Sequence, residues 1–265
     1  MEKLNFKNKW VLITGASSGL GKAIALYMSK HEGANLVITA RRKEQLENLK
    51  NEIESSCDRK VETIQGDLGI KEDVERIFKE STELADIFAV INNAGATYYG
   101  VTDYDHIDTF EKIIDVNLKA CMVLTLRFLD LFKKKGEGAI LNITSEAGLM
   151  ITPFQTAYSA SKHAIQAFTE AVYMENKGSG ITISSFAPGG IATEMLTKSG
   201  LDKKHGLDSP FNMDVNKAAR LAVKSFKKKK FLTVPGIMNK LTVVLARLFS
   251  RKLVGNLSAQ IYKLP

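Results

Sequence analysis

Over the first 190 residues, short apolar runs alternate with longer stretches in which apolar residues return every three or four positions. A run of four to eight apolar residues between turn signals predicts a buried strand, and a period near 3.6 predicts an amphipathic helix. Residues 10–14, 36–39, 61–64, 87–92, 139–144 and 181–186 are the predicted strands. Residues 21–31, 43–55, 70–83, 107–134 and 156–176 are the predicted helices. Strands alternating with helices of this length predict βαβ units. The expected fold class is therefore α/β: a Rossmann-type, doubly wound parallel sheet in a single domain, with right-handed crossovers.

The pattern fails from Ile191 to Asp214, where Lys203, Lys204, His205, Gly206 and Pro210 read as loop. A loop that long beside a compact core is expected to serve as a lid. Residues 216–229 then read as a helix and 231–234 as a short strand. Residues 237–257 form a basic amphipathic pattern. The expected organisation is an α/β body over 1–235, with a helical substrate lid at 191–214, and a basic helical extension over 236–265.

A chain of 265 residues, 45% apolar, suits one such domain. Cys57 and Cys121 match no metal spacing, so reduced thiols and no metal are expected. The N-terminus lacks a signal-type apolar stretch, and no run is long enough to span a bilayer, so the expected location is cytoplasmic. Charge changes the picture at one end. Residues 198–265 carry 15 Lys and Arg against three Asp, whereas residues 1–197 carry 22 against 26 Asp and Glu. A basic end on a near-neutral body suggests an anionic partner: a lipid surface, an acidic substrate, or only solvent. The extension could lie on an anionic membrane, cover the substrate site or pack against a second subunit. No nucleic-acid motif is present.

The candidate chemistry begins at Thr14-Gly15-Ala16-Ser17-Ser18-Gly19-Leu20-Gly21, between the first strand and the first helix. Three glycines there permit a tight turn, close approach of a phosphate to the backbone, and close helix–strand packing. A pyrophosphate would then meet the helix N-terminus. The second strand ends in Thr39-Ala40-Arg41-Arg42. An acidic residue at that position would favour the 2′-hydroxyl of NAD. Alanine followed by guanidinium groups suits a 2′-phosphate instead. NADP(H) is the expected cofactor, with Arg41 as main contact and Arg42 as helper, unless the pair is only exposed at the next helix start. Tyr158 and Lys162 stand at i and i+4 on one helix face. The ammonium is expected to lower the phenol pKa and make Tyr158 a proton donor or acceptor. Ser145, 13 residues earlier, can hydrogen-bond a substrate oxygen.

These residues, together with Asp67, Asn92-Asn93-Ala94-Gly95, Asn117 and Pro188-Gly189-Gly190, resemble the short-chain dehydrogenase/reductase family in order and spacing, from Thr14 to Thr193. The resemblance implies reversible hydride transfer between nicotinamide and a carbonyl or secondary alcohol. It implies that Lys162 also binds the nicotinamide ribose and that Asn117 holds a proton-relaying water. Asp67 matches the adenine contact, beside Leu68; a helix N-cap is the other reading of Asp67. Asn92, Asn93, Ala94 and Gly95 flank the adenosine. Pro188 and Gly189 lie near the nicotinamide, with Thr193 one residue beyond its usual spacing unless Gly190 is the reference. Ile191 would then offer its amide to the carboxamide.

The lid residues Met195, Leu196, Leu201, Leu207, Phe211 and Met213, facing Ala147, Leu149, Met150, Phe154 and Gln155, suggest an apolar, lipid-like small-molecule substrate or packing of the lid itself. A non-catalytic NADP-binding regulator would be expected to lose Tyr158 or Lys162, and a basic nucleic-acid- or membrane-binding module would gain nothing from the pair. The resemblance also implies a homodimer or homotetramer. Cys121, Leu124, Phe128, Ala164, Phe168 and Val172 would lie in that interface or in the core.

Overall fold

The computed structural model describes residues 2–199 and 212–264. Its sheet has seven parallel strands in the order β3-β2-β1-β4-β5-β6-β7. They are β1 (Trp10–Thr14), β2 (Asn35–Ala40), β3 (Val61–Gln65), β4 (Ile87–Asn92), β5 (Gly138–Ile143), β6 (Ile181–Phe186) and β7 (Leu232–Thr233). This is the expected Rossmann-type order, which reverses between β1 and β4.

Side chains alternate across each strand, so one strand feeds two cores. Val11 and Ile13 join the core under α1 (Gly19–Glu32) and α2 (Lys43–Ser56). Leu12 joins the opposite core, under α3 (Lys71–Leu84). Runs buried on both faces are what a parallel sheet requires. The near-continuous apolarity of residues 10–14 is that requirement written in sequence.

The expected helix over 107–134 is one rod with an irregular centre. α4 (Ile107–Ile114) runs through a π-helical turn, Asp115–Lys119, into α5 (Ala120–Lys135). The extra residue in such a turn re-aims a side chain, and such bulges recur at functional sites. Here the turn carries Asn117. Beyond it, α6 (Thr156–Glu175) follows β5, and a short α7 (Glu194–Ser199) lies in the expected lid. α8 (Val215–Lys227) packs its Ala219, Ala222, Val223 and Phe226 beside α1. Leu124, Phe128 and Val172 are core residues, while Cys121, Ala164 and Phe168 are half-buried.

The single amphipathic pattern expected over 237–257 is two helices, α9 (Ile237–Leu248) and α10 (Arg251–Tyr262). The break falls where the Ser250 side chain accepts a hydrogen bond from the Leu253 N–H and caps the second helix. Val243 of α9 packs with Ala187, Val234 and Leu149.

Candidate active site

The crevice lies beyond the carboxyl ends of β1 and β4, where open α/β sheets bind ligands. Gly15 turns the chain there with φ +67°. A Cβ on it would stand 2.7 Å from Ala94 Cα, so only glycine fits. Thr14 Oγ1 accepts the amide protons of Asn93 and Ala94, each at 3.0 Å. The Asn93 side chain donates to the Thr14 carbonyl at 2.9 Å. Asn93 and Thr14 thus tie the two loops of the crevice together. The sequence had offered Thr14 only as the edge of the glycine turn.

α1 starts at Gly19 with no side chain capping its first turn and no acid in it. Its leading amides and positive dipole end fit a pyrophosphate. Thr193 closes on the same point, since a Cβ on Gly19 would lie 3.3 Å from Thr193 Cγ2. The chain around it is anchored by a parallel bridge between Ile191 and Met213. The bridge uses the Gly190 carbonyl and the Ala192 amide, not the amide of Ile191.

The two arginines separate. Arg42 leans on the glycine turn, donating to Ser17 Oγ from Nε at 3.4 Å and Nη2 at 3.2 Å. Its Nη1 meets Glu194 at 3.2 Å across the crevice. The Arg41 side chain is 63% exposed and stands 3.8 Å from Asp67. Asp67 does not cap α3, whose N-cap is Ile70. Its carboxylate accepts the Gly69 amide instead, in a local turn. Leu68 is half-buried against the second core. Asn92 departs from expectation. Its amide is buried under the sheet end, donating to Thr125 Oγ1 and Asn142 Oδ1.

Tyr158, Lys162 and Ser145 converge. A 3-10 turn, Glu146–Gly148, follows β5 with Ser145 as its cap. The turn is sewn to α6 by Ser159 Oγ, which donates to the Ala147 carbonyl at 2.8 Å. Gly148 has no room for a side chain against the Lys162 carbonyl. This packing sets the Ser145 hydroxyl near enough to the Tyr158 phenol to favour its ionised form. The Ser145 hydroxyl also accepts the Ala147 amide at 3.1 Å and reaches the Pro188 carbonyl at 3.4 Å. Lys162 Nζ lies 5.7 Å from the Tyr158 ring centroid and donates to the Ile143 carbonyl at 3.0 Å. Burial holds Lys162 down to about 8.

The expectation that the ammonium lowers the phenol pKa is overturned here. Burial pushes Tyr158 up, and the Ser145 hydroxyl only partly opposes it. Asn117 anchors the far side. Its side chain accepts the Ala96 amide at 2.7 Å and donates to the Ala96 carbonyl at 2.9 Å and to Ser161 Oγ at 3.1 Å. Its amide is spent on positioning the loop and the helix.

Two groups were not legible as site residues. Glu146, next to Ser145, is partly buried, and desolvation pushes its carboxyl up to about 7. Gly189 passes close to it: a Cβ there would meet Glu146 Oε2 at 2.7 Å and Asn239 Nδ2 at 2.6 Å. Tyr262 reaches the same place from α10. Burial, then the charges of Glu146 and Tyr158, raise its phenol to about 12. An acid directly after the serine was a visible signal; nothing local marks Tyr262. Its carbonyl accepts the Tyr99 hydroxyl at 2.8 Å, which fixes the end of α10 to the loop after β4.

Of the expected lid residues, Met195 reaches the site. A Cβ on Gly95 would lie 3.6 Å from Met195 Cε and 3.8 Å from Lys162 Nζ. Leu149 packs under α9 instead, and Gln155 is buried. Leu201, Lys203, Lys204, His205, Gly206, Leu207, Pro210 and Phe211 lie outside the described residues.

The short chain dehydrogenase family model matches residues 9–204. A very-long-chain 3-oxoacyl-CoA reductase of Anas platyrhynchos is 32% identical over 200 residues, 73% of this chain; the match spans 64% of that protein. A short-chain dehydrogenase from Sphingobium yanoikuyae, solved in complex with NADPH, superposes with a TM-score of 0.81 at 28% identity, covering 97% of this chain and 96% of that one. A bulky-bulky ketone specific alcohol dehydrogenase from Comamonas testosteroni gives 0.77 at 26% identity, covering 91% and 92%. With the glycine turn, the sheet order and the Ser145, Tyr158 and Lys162 cluster in place, the chain belongs to the short-chain dehydrogenase family of nicotinamide-dependent oxidoreductases.

Proposed function

We propose that the protein is an NADP(H)-dependent carbonyl reductase that takes a small, apolar substrate. The observation that carries the reading is the convergence of Ser145, Tyr158 and Lys162 at the end of β5, with the Lys162 ammonium 5.7 Å from the Tyr158 ring centroid. A phenol held above its ordinary value is protonated near neutrality, which suits a donor to a carbonyl oxygen. When bound, the reduced nicotinamide supplies the hydride to the carbonyl carbon. Tyr158 gives its proton to the oxygen, and the Ser145 hydroxyl supports charge growing there. The phenolate then regains a proton from solvent, with Lys162 Nζ 5.7 Å from the ring centroid. The sum is one hydride and one proton added across C=O.

The glycine turn and the uncapped start of α1 would hold the pyrophosphate, with Ser17, Ser18, Gly19, Leu20 and Thr193 around it. Arg42, already over Ser17, is the better placed cation for a 2′-phosphate, and Arg41 the second. Met195, beside Lys162, supports an apolar substrate face. The NADPH of the Sphingobium protein and the ketone of the Comamonas one point the same way.

The test is NADPH oxidation, followed by absorbance, against a panel of aliphatic ketones, bulky ketones and 3-oxoacyl thioesters. Turnover with NADPH well above NADH is expected. A preference for NADH overturns the cofactor assignment, and no turnover of any carbonyl overturns the reaction.

A further inference from the structure

α9 and α10 turn their apolar residues outward. On α9, Ile237, Leu241, Val244, Leu245 and Leu248 are exposed, Ile237 to 85% and Leu248 to 75%. The side facing the body carries Asn239, Thr242, Val243 and Ala246. On α10, Leu253, Leu257 and Ile261 are exposed, while Val254 and Ser258 are buried. Spacings of three, four and seven on α9, and of four on α10, trace a stripe along each helix. Elsewhere among the described residues, exposed large apolar side chains are fewer and scattered. Apolar side chains exposed in this number along two successive helices mark an interaction site.

The charge on the same two helices has one sign. Lys240, Arg247, Arg251, Lys252 and Lys263 are exposed, and residues 236–265 contain no Asp or Glu. We propose that α9 and α10 form a docking face for an anionic lipid bilayer, lying in the plane of its headgroups. Apolar stripes enter the acyl boundary while flanking cations meet lipid phosphates. A second copy of the chain is the poorer occupant. A two-fold interface sets the same patch against itself, so two wholly cationic surfaces would meet with no carboxylate between them. No helix among the described residues is long and apolar enough to cross the membrane, which leaves interfacial docking. The Tyr99–Tyr262 bond ties the end of α10 to the loop after β4. The docking reading stands independently of the reaction, and its test reads vesicle binding.

The test is co-sedimentation of the full chain with vesicles of phosphatidylcholine and phosphatidylglycerol, and with phosphatidylcholine alone. Pelleting with the anionic vesicles, weakened by salt, is expected. Arg251→Gln should weaken it about fivefold, the effect of one surface cation. The double variant Leu245→Glu, Leu248→Glu should abolish it while leaving the thermal unfolding curve unchanged, because both residues are exposed. No pelleting at low salt overturns the proposal, as does pelleting unaffected by the double variant. A dimer that the double variant disperses, with no vesicle binding, overturns it in favour of the second copy.

Discussion

Lys162 Nζ stands 5.7 Å from the Tyr158 ring centroid, and burial drives both groups toward their neutral forms. The phenol is therefore a proton reservoir at neutral pH, and the amine keeps its charge only below about 8. Removing the phenol while keeping the ring isolates that role. Tyr158→Phe should lower turnover about a hundred- to ten-thousandfold, the usual worth of a positioned acid. Ser145→Ala should cost about a hundred- to a thousandfold. Both variants should still quench intrinsic fluorescence on adding NADPH. Near-full turnover by the phenylalanine variant would remove Tyr158 from the mechanism.

On the proposed reading, cofactor selectivity rests on Arg42, over Ser17. Hydrogen bonds to a charged partner are worth about 1.5–3 kcal/mol, so Arg42→Ala should raise the KM for NADPH about ten- to a hundredfold. The KM for NADH should hardly move. Arg41→Ala should do less, because its guanidinium faces Asp67 and solvent. An Arg42→Ala enzyme with an unchanged KM ratio contradicts the assignment.

Glu146 supplies a pH dependence. Its carboxyl titrates at about 7 in the folded protein, against 4.5 as the ordinary value. The folded state thus binds the proton more tightly, so stability is gained as pH falls through 7 and is lost above it. After discounting for the solvent that reaches this partly exposed group, the ionised form costs about 1 kcal/mol. Glu146→Gln should raise Tm above neutrality and leave it unchanged in acid. The carboxylate also opposes negative charge growing on a nearby substrate oxygen. In the wild type, kcat/KM for reduction should fall as pH rises through 7, and the glutamine variant should lack that step. Parallel pH profiles for the two proteins would show that Glu146 does not face the reacting atoms.

Gly15→Ala tests the turn itself. A left-handed backbone costs a side chain about 1–3 kcal/mol, before the collision with Ala94 is counted. Tm should drop by about 5 °C or more, with NADPH binding lost. Calorimetry and fluorescence titration read the two effects separately.

Much of this molecule was legible in the sequence because its signals are local. Buried parallel strands need unbroken apolar runs, as at residues 10–14, and a tight turn needs glycine, as at Gly15. The Tyr158/Lys162 pair needed only helical periodicity. What failed depended on packing. Asn92 looked like a crevice residue, but strand register turned its amide under the sheet toward Asn142. The π turn at Asn117 carries no composition signal, and hydrogen bonds to Ala96 and Ser161 hold it in place. The phenol shift was misjudged because spacing reports the neighbouring cation and not the surrounding burial. Tyr262 reaches the site only through the path of the last two helices.

The pairing of Ile191 with Met213 has an engineering consequence. Both ends of the intervening chain are pinned to one point beside the glycine turn, so that stretch can be exchanged as a cassette. Closure entropy grows slowly with loop length, about 0.6 kcal/mol per doubling. Inserts that keep Thr193 and Glu194 should leave the glycine turn and Arg42 with their present contacts. If the stretch is the substrate lid, as expected, chimeras made between these two residues should change substrate choice and leave hydride chemistry in place.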